Sequence, residues 1–316
     1  MDTRRHKDTK ARSFLIKNLS VFVSSCLCVC LVSFTASAQD LRIVNAKLEG
    51  RSTKNVVQDV KQIVGTLSDP AWIAYRVPLV DGEHTMCCSG GSGWQNGTCC
   101  GACELERTSG WTTSTTQTIP AGGPIRLEHQ FFWVLMRAAD RRVQKVRMFS
   151  ENCPLDAGGV RVIAFGDADA AQSVQLLNDL LHSDLPAGST QGKLGETVGV
   201  IAMHHTPAAV EMLLRLARND SNSSIRSQAL FWVAQRAGRD AEATITDAIR
   251  NDPETEVKKR AVFALGQLPK DRGIPLLVDV ARTNANPVVR KQAMFWLGQS
   301  NDPRALAFFE EILSKK

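Results

Sequence analysis

The stretch SIRSQALFWVAQ at residues 224–235 decides the fold, because it occurs three times. The other copies read EVKKRAVFALGQ at 256–267 and VVRKQAMFWLGQ at 288–299, and both offsets are equal, since 256 − 224 = 32 and 288 − 256 = 32. Alanines, phenylalanines and glutamines fall in register at Ala229, Ala261 and Ala293, at Phe231, Phe263 and Phe295, and at Gln235, Gln267 and Gln299. A short fixed period carried by apolar positions predicts a solenoid of stacked units.

Each copy has the apolar spacing of a helix. Apolar residues lie at i, i+4, i+5 and i+8, as in Ile225, Ala229, Leu230 and Val233. This spacing forms one face of an α-helix, whereas a strand would divide the same residues between two faces. A second apolar run follows each copy after a polar turn, for example GIPLLVDVA, in which we expect Pro275 near the start of the helix. Each unit is therefore predicted to be helix A, turn, helix B, turn.

The repeats resemble the short HEAT-like repeat named from phycobilisome lyases, whose units read Asp-Pro, Val-Arg, Ala and Leu-Gly. The match covers residues 193–316, and the chain is similar to exported bacterial proteins that contain HEAT repeats. The matching residues are Asn286, Pro287, Val289, Arg290, Ala293, Leu297 and Gly298, then Asp302, Pro303 and Ala305, then Asp252, Pro253, Lys258, Leu265 and Gly266, then Asp220, Arg226 and Ala229. The resemblance implies an α-solenoid whose B helices line its concave side.

The solenoid is predicted to occupy residues 167–316, as a capping helix and about four repeats of 32 residues. Asp167 and Asp169 provide an N-cap for a helix that ends near Leu181. A loop rich in Pro, Gly and Ser follows at 185–192. Because one helix pair cannot bury its own apolar face, we expect the capping helix to seal the stack against the preceding domain.

The first 38 residues have the pattern of a secretory signal. Six Lys and Arg residues occur within 1–17, an apolar run follows from Val21 to Phe34, and Ala36-Ser37-Ala38 precedes Gln39. This order predicts export to the periplasm or the extracellular space with cleavage after Ala38. Two alternatives are an uncleaved segment, which would be the chain's only membrane contact, and lipidation at Cys26.

Charge gives no reason to expect a nucleic-acid partner. The chain contains 38 Lys+Arg and 32 Asp+Glu. Residues 1–38 hold six and two of these, so the remaining 278 residues have 38 − 6 = 32 basic and 32 − 2 = 30 acidic side chains. A net charge of +2 on that length is too small to draw the protein to a phosphate backbone.

Six cysteines remain after the signal, and all precede the repeats. They are Cys87, Cys88, Cys99, Cys100, Cys103 and Cys153. An even number in an exported chain predicts up to three disulfides in one small domain, without fixing their pairing. The spacing Cys100-Gly-Ala-Cys103 leaves two alternatives, a zinc site completed by Cys87-Cys88 and a redox-active thiol pair.

Residues 39–166 are predicted to form a β-rich domain. Strand-like runs begin near Ala71, Phe131, Val143 and Val160, and a helix is expected at 54–64. Asp81-Gly82 is typical of a hairpin turn, and residues 139–142 form a second polar turn. We therefore predict an α+β protein: a disulfide-linked antiparallel sheet domain followed by an all-α HEAT-like solenoid.

In-register charges on helix B indicate a candidate binding face. Two rows run along the repeats, one of mixed sign and one of arginines three residues further on. The residues are Arg215, Asp247, Asp279 and Glu311 in the first row, and Arg218, Arg250 and Arg282 in the second. They could bind a protein or peptide, although opposite charges at i, i+3 are also common on helix surfaces. We expect Arg226, Lys258 and Arg290 to have a structural role between units.

No catalytic constellation is found at the level of motifs. The pair His204-His205 is expected to cap a helix C-terminus rather than bind a metal, and no Ser-His-Asp or Cys-His arrangement has the spacing of a known motif. We therefore predict a non-enzymatic protein-binding or scaffold protein of the cell envelope, without a cofactor. The alternatives are a thiol–disulfide or zinc protein that uses Cys87–Cys103, and a lyase-type helper protein suggested only by the name of the repeat.

Overall fold

The computed structural model describes residues 41–82, 103–106, 130–151, 153–183 and 196–314. These residues all belong to one compact unit. The predicted signal, residues 1–38, lies outside them, so export stays a prediction. Within the described ranges, no helix is both long enough and apolar enough to cross a membrane.

Eight strands and ten helices are described. The strands are β1 (Ile43–Val44), β2 (Lys47–Gly50), β3 (Ala71–Pro78), β4 (Cys103–Glu104), β5 (Phe131–Ala139), β6 (Arg142–Ser150), β7 (Leu155–Asp156) and β8 (Arg161–Asp167). The helices are α1 (Val56–Thr66), α2 (Ala170–Leu181), α3 (Thr197–Ala202), α4 (Pro207–Asn219), α5 (Ser223–Arg236), α6 (Arg239–Asn251), α7 (Thr255–Leu265), α8 (Lys270–Thr283), α9 (Pro287–Gln299) and α10 (Pro303–Ser314). The chain therefore has the predicted α+β order, with a sheet region first and helical repeats after it.

The main sheet is mixed, so the prediction of an antiparallel sheet is wrong. Its strand order is β2-β8-β3-β5-β6. Strand β8 runs parallel to both β2 and β3, while β3–β5 and β5–β6 are antiparallel. The reason is helix α1, which connects β2 to β3 and so allows both strands to run parallel to β8, because parallel strands require a long crossover. A second, small sheet β1-β7-β4 is entirely parallel.

The two predicted turns behave differently. Asp140 and Arg141 have φ of 52° and 58° and join β5 to β6 as a tight hairpin, as predicted. Asp81-Gly82 does not join two neighbouring strands, because the antiparallel partner of β3 is β5, which begins only at Phe131. That prediction of a hairpin turn was wrong.

Strand β3 is central and lies between two cores. Ile73, Tyr75 and Val77 face the core that contains the helices, whereas Trp72 and Ala74 face a second core. Alternate residues of a strand point to opposite faces, so a strand buried on both sides has a continuous apolar sequence. Helices α1, α2 and α3 cover the first face of the sheet, and the small sheet β1-β7-β4 contributes Cys103 and Leu155 to the second core.

The repeats form two rows of helices with the predicted period. Row A consists of α3, α5, α7 and α9, and row B of α4, α6, α8 and α10. Helices α5, α7 and α9 begin at 223, 255 and 287, so that 255 − 223 = 32 and 287 − 255 = 32. Ala229, Ala261 and Ala293 are fully buried. Their small side chains let neighbouring A helices approach closely, and this contact continues the core along the stack.

Basic residues near the start of each A helix tie the units together, as expected. The guanidinium of Arg226 donates to both carboxylate oxygens of Asp252 in the next unit, at 2.7 and 2.9 Å, and also to the carbonyl of Asp220. Lys258 Nζ donates to the Arg250 carbonyl at 3.0 Å. Arg290 similarly donates to the carbonyl of Asn284. These contacts satisfy carbonyl groups in the turns, which is a structural role.

The sheet and the first repeat are joined by backbone hydrogen bonds. The N–H of Val80 donates to the carbonyl of Met203 at 2.8 Å, and the N–H of His205 donates to the carbonyl of Pro78 at 3.0 Å. One continuous core includes residues from the sheet and from the repeats. The end of β3 therefore fixes the start of the repeats.

Candidate functional site

A row of aromatic side chains lies on the exposed side of the A helices. Phe231, Phe263 and Phe295 are in register, and all three are partly or fully exposed, with Phe295 at 53%. The rings of Phe231 and Phe263 stack with centroids 5.9 Å apart and planes 8° apart. Aromatic pairs of this kind are favourable beyond the apolar area that they bury.

Two tryptophans extend the row. Trp232 contacts Phe231 edge-to-face at 5.0 Å, and Trp296 contacts Phe263 at 4.9 Å and Phe295 at 5.1 Å. Five rings on three successive helices are therefore in continuous contact. At its first end the row rests on Gly199 of α3, where an added Cβ would lie 3.1 Å from the Trp232 ring.

Two adjoining clefts run beside these rings. The cleft between α5 and α7 has a volume of about 720 Å³, and the cleft between α7 and α9 about 440 Å³. Arg260, Phe263 and Glu256 line both clefts, so the two form one surface. We call the five rings together with these clefts the aromatic groove. Its other lining residues are Ser223, Ser224, Ser227, Gln228, Glu254, Val257, Lys259 and Gln292.

The charges of the aromatic groove leave one cation without an acidic partner. Lys259 Nζ lies 3.0 Å from the carboxylate of Glu256. Arg260 is exposed and makes no side-chain hydrogen bond or ion pair to any part of the chain that the structure describes. Its equivalents one unit away on either side are neutral, since 260 − 32 = 228 and 260 + 32 = 292 are Gln228 and Gln292. The groove thus combines apolar rings and amides with the Glu256–Lys259 pair, the Glu254 carboxylate and the Arg260 guanidinium.

The charged rows predicted as a binding face lie on row B, and much of their charge is used within the protein. Arg218 donates to Thr244 Oγ1 at 2.6 Å. Arg282 forms an ion pair with Glu311 of the next B helix, and its guanidinium lies 5.5 Å from the centroid of the Phe308 ring. The remaining members are exposed: Arg215, Asp247, Arg250 and Asp279. The binding role of this face stays a prediction.

His204 belongs to a buried network instead of a metal site. Its Nδ1 donates to the carbonyl of Val200 at 2.8 Å at the end of α3, which is the helix cap expected from the sequence. Its Nε2 then accepts from Ser173 Oγ at 2.7 Å, and Ser173 Oγ accepts from the Tyr75 hydroxyl at 2.9 Å. All three side chains are fully buried. Among the described residues, no cluster of His, Cys, Asp or Glu could hold a metal ion.

Burial sets the ionisation of this network. It lowers the pKa of His204 to about 4, and it raises the pKa of Tyr75 despite the hydrogen bond to Ser173. Both groups are therefore neutral near pH 7. In the line of hydrogen bonds from the Tyr75 hydroxyl through Ser173 and His204 to the Val200 carbonyl, every polar atom has a partner. The network therefore stabilises the contact between the sheet and the repeats.

Only two of the six predicted disulfide cysteines are described. Cys103 and Cys153 are both buried in the second core, and both are disulfide-bonded. Cys87, Cys88, Cys99 and Cys100 lie outside the described residues. The pairing of the six cysteines therefore stays a prediction.

Comparisons with known proteins identify the class of the helical part. Residues 241–316 match the family model for HEAT repeats. The helical part therefore contains HEAT repeats at residues 241–316, and a mixed β-sheet region precedes the helices. Comparison with curated proteins gives no match.

One solved structure that part of the chain matches is the complex of CpcE and CpcF of phycocyanin lyase from Nostoc sp. PCC7120. It is 17% identical, with a TM-score of 0.35, and the alignment covers 47% of this chain and 92% of that one. A likeness of this extent gives no information about activity or partners.

Proposed function

We propose that this protein is a non-enzymatic binding protein, and that the aromatic groove holds a segment of a partner protein. The observation that supports this most strongly is the continuous row of five rings along row A, in which Phe295 is exposed and the other four rings are half-buried. Aromatic residues and arginine are the side chains most often found at the energetic centre of protein interfaces. A contiguous exposed apolar surface of this kind marks an interaction site more often than an ordinary surface.

The shape of the groove favours an extended segment as its ligand. The two clefts lie side by side along the stack, one between α5 and α7 and the other between α7 and α9, and they share Phe263, Arg260 and Glu256. The hydroxyl groups of Ser224 and Ser227 and the amides of Gln228 and Gln292 can donate to and accept from a peptide backbone. A repeated surface of this kind is how solenoids form long binding faces.

Selection of a random twelve-residue peptide library on the full chain tests this proposal. We expect enriched peptides, with binding measured by fluorescence polarisation of one labelled member. Phe263→Ala should weaken that binding about tenfold or more, because Phe263 lines both clefts and central aromatic residues of an interface contribute most of its affinity. Its melting temperature is measured to exclude a loss of fold. Phe295→Ser, which removes the exposed ring at the end of the row, should also weaken binding, but less.

The matched control is Leu306→Ser. Leu306 is an exposed apolar residue, at 61%, on α10 of row B. Binding should be unchanged by this substitution. Failure to enrich any peptide, or an equal loss with Leu306→Ser and with Phe295→Ser, would contradict the proposal.

A further inference from the structure

We infer that the ligand of the aromatic groove is an acidic peptide segment, in which one Asp or Glu is flanked on both sides by apolar residues and pairs with Arg260. This inference rests on the proposed function and names the chemistry of its ligand.

Arg260 determines the sign of the ligand charge. It lines both clefts, and within the described residues it has no carboxylate partner. The neighbouring Glu256 is paired with Lys259. A guanidinium beside apolar rings binds carboxylates well, because it is weakly hydrated and can donate two parallel hydrogen bonds. A bound carboxylate would therefore compensate the charge that this part of the chain leaves unpaired.

The remaining acid in the larger cleft limits the ligand to a single charge. Glu254 lines that cleft, and its negative charge is close enough to Arg226 to raise the pKa of that guanidinium, although the largest cause is the hydrogen bond from Arg226 to Asp252. A doubly charged phosphate would be repelled by Glu254 more strongly than a carboxylate would. We therefore assign a carboxylate and not a phosphorylated residue.

The ring spacing defines where the apolar residues of the ligand lie. The centroids of Phe231 and Phe263 are 5.9 Å apart, and those of Phe263 and Trp296 are 4.9 Å apart. In an extended chain, side chains two residues apart lie on the same face and are separated by roughly 6.5 Å. Apolar residues two positions before and two positions after the carboxylate would thus lie over the rings on either side of Arg260.

The sequences of selected peptides test the inference directly. Peptides enriched on the full chain should share an Asp or Glu with Leu, Ile, Phe or Met two residues away on each side. For one labelled peptide, Arg260→Gln should weaken binding about tenfold to a hundredfold, the usual effect of losing a hydrogen bond to a charged group. Gln is already present at positions 228 and 292 of the same row, so this substitution should preserve the fold.

Two further variants complete the test. Arg260→Lys retains the charge and should recover part of the affinity. Arg239→Gln removes an exposed arginine at the start of α6, outside the groove and the charged rows, and should leave binding unchanged. Replacing the acidic residue of the peptide by its amide should weaken binding to the natural protein but not to the Arg260→Gln variant.

The outcomes separate this inference from the proposed function. Enriched peptides without an acidic residue, or equal binding by the natural protein and Arg260→Gln, would overturn the carboxylate assignment while leaving the groove as a binding site. If no peptide is enriched at all, the proposed function fails, and this inference fails with it.

Discussion

The buried hydrogen bonds that link Tyr75, Ser173 and His204 show how single residues hold the sheet against the repeats. Tyr75 comes from β3, Ser173 from α2 and His204 from the end of α3, so one line of hydrogen bonds connects three elements. The Phe132 ring contacts the imidazole edge-to-face at 5.1 Å. A buried polar network is stabilising only when each member has a partner, and here the neutral imidazole completes the chain.

Acid should therefore weaken the fold through His204. The pKa of His204 is about 4 in the folded protein because of burial, and a histidine in an unfolded chain has a pKa of about 6.5. Between these values the unfolded chain binds a proton that the folded protein does not. The free energy of unfolding should fall as the pH falls through this window, by about 3 kcal/mol in total once the pH is below about 4.

Urea unfolding at pH 7.5, 5.5 and 4.5 measures this effect. The stability difference between the natural protein and His204→Gln should be largest at pH 7.5 and should shrink towards pH 4.5. His205→Gln is the control, because His205 is adjacent but exposed, and its difference should not change in this way. A His204→Gln difference that is constant across the three pH values would contradict the prediction.

At this scale the sequence predicted the role of His204 as a helix cap, but not its partners. Val200 lies four residues before His204, so its carbonyl could be expected from helix geometry. Ser173 is 31 residues from His204 and 98 residues from Tyr75. Contacts between residues so far apart in the sequence depend on how the sheet packs against the helices, and local sequence patterns do not predict that packing.

Among the elements, close contact between helices depends on small residues at fixed positions. Gly273 lies inside α8, and an added Cβ there would overlap the carbonyl oxygen of Leu265 in α7. Gly298 lies inside α9, and an added Cβ there would meet nothing within 4 Å. Both glycines lie inside helices of the repeats, but only Gly273 lies against the backbone of a neighbouring helix.

Gly273→Ala should destabilise the protein by about 1–2 kcal/mol. Alanine favours the helix by roughly 1 kcal/mol, but overlap with the backbone of α7 costs more, because the two helices must separate. Gly298→Ala, without such an overlap, should be neutral or stabilising by up to about 1 kcal/mol. Thermal unfolding of both variants checks the prediction, and a stabilising Gly273→Ala would show that α7 and α8 are packed differently.

The helices of the repeats were predictable because two sequence signals both indicate paired helices. One is the 32-residue repeat, and the other is the 3.6-residue spacing of the apolar positions within it. Two details were missed. The short helix α3 continues the period, since Val198 and Ile201 lie 32 residues before Leu230 and Val233, but it has only six residues and few helix signals. Pro275 lies inside α8, which begins at Lys270 and not near the proline as expected.

The strand directions were harder to predict than the strands themselves. The four long strand-like runs correspond to β3, β5, β6 and β8. The largely apolar sequences of β3 and β8 and the helix between β2 and β3 are typical of parallel, fully covered strands, and these two signals were available in the sequence. The antiparallel prediction gave more weight to the turn-like residues between the runs.

For the whole molecule, the sheet holds the first repeat and the later repeats extend from it. The backbone hydrogen bonds from Val80 and His205 fix this start, and the ion pair of Arg226 with Asp252 links the next two units. Row A, with its rings, is therefore presented on a rigid support. A preorganised surface loses less entropy when a ligand binds.

The position of the aromatic groove was not predicted, although the sequence contained a signal for it. The three phenylalanines are in register in the sequence, but the candidate binding face was predicted from the charged residues of helix B. Phe231 lies six residues after Ile225, which places it roughly 180° from the middle of the apolar face that includes Ala229 and Leu230. A large apolar residue that recurs on the polar side of a helix indicates a binding surface.

Hydrogen exchange of the full chain, with and without a selected peptide, distinguishes row A from row B as the binding face. We expect slower exchange in α5, α7 and α9 when the peptide is bound, and unchanged exchange in α6 and α8. Protection confined to the B helices or to the sheet, with α5, α7 and α9 unchanged, would contradict this prediction.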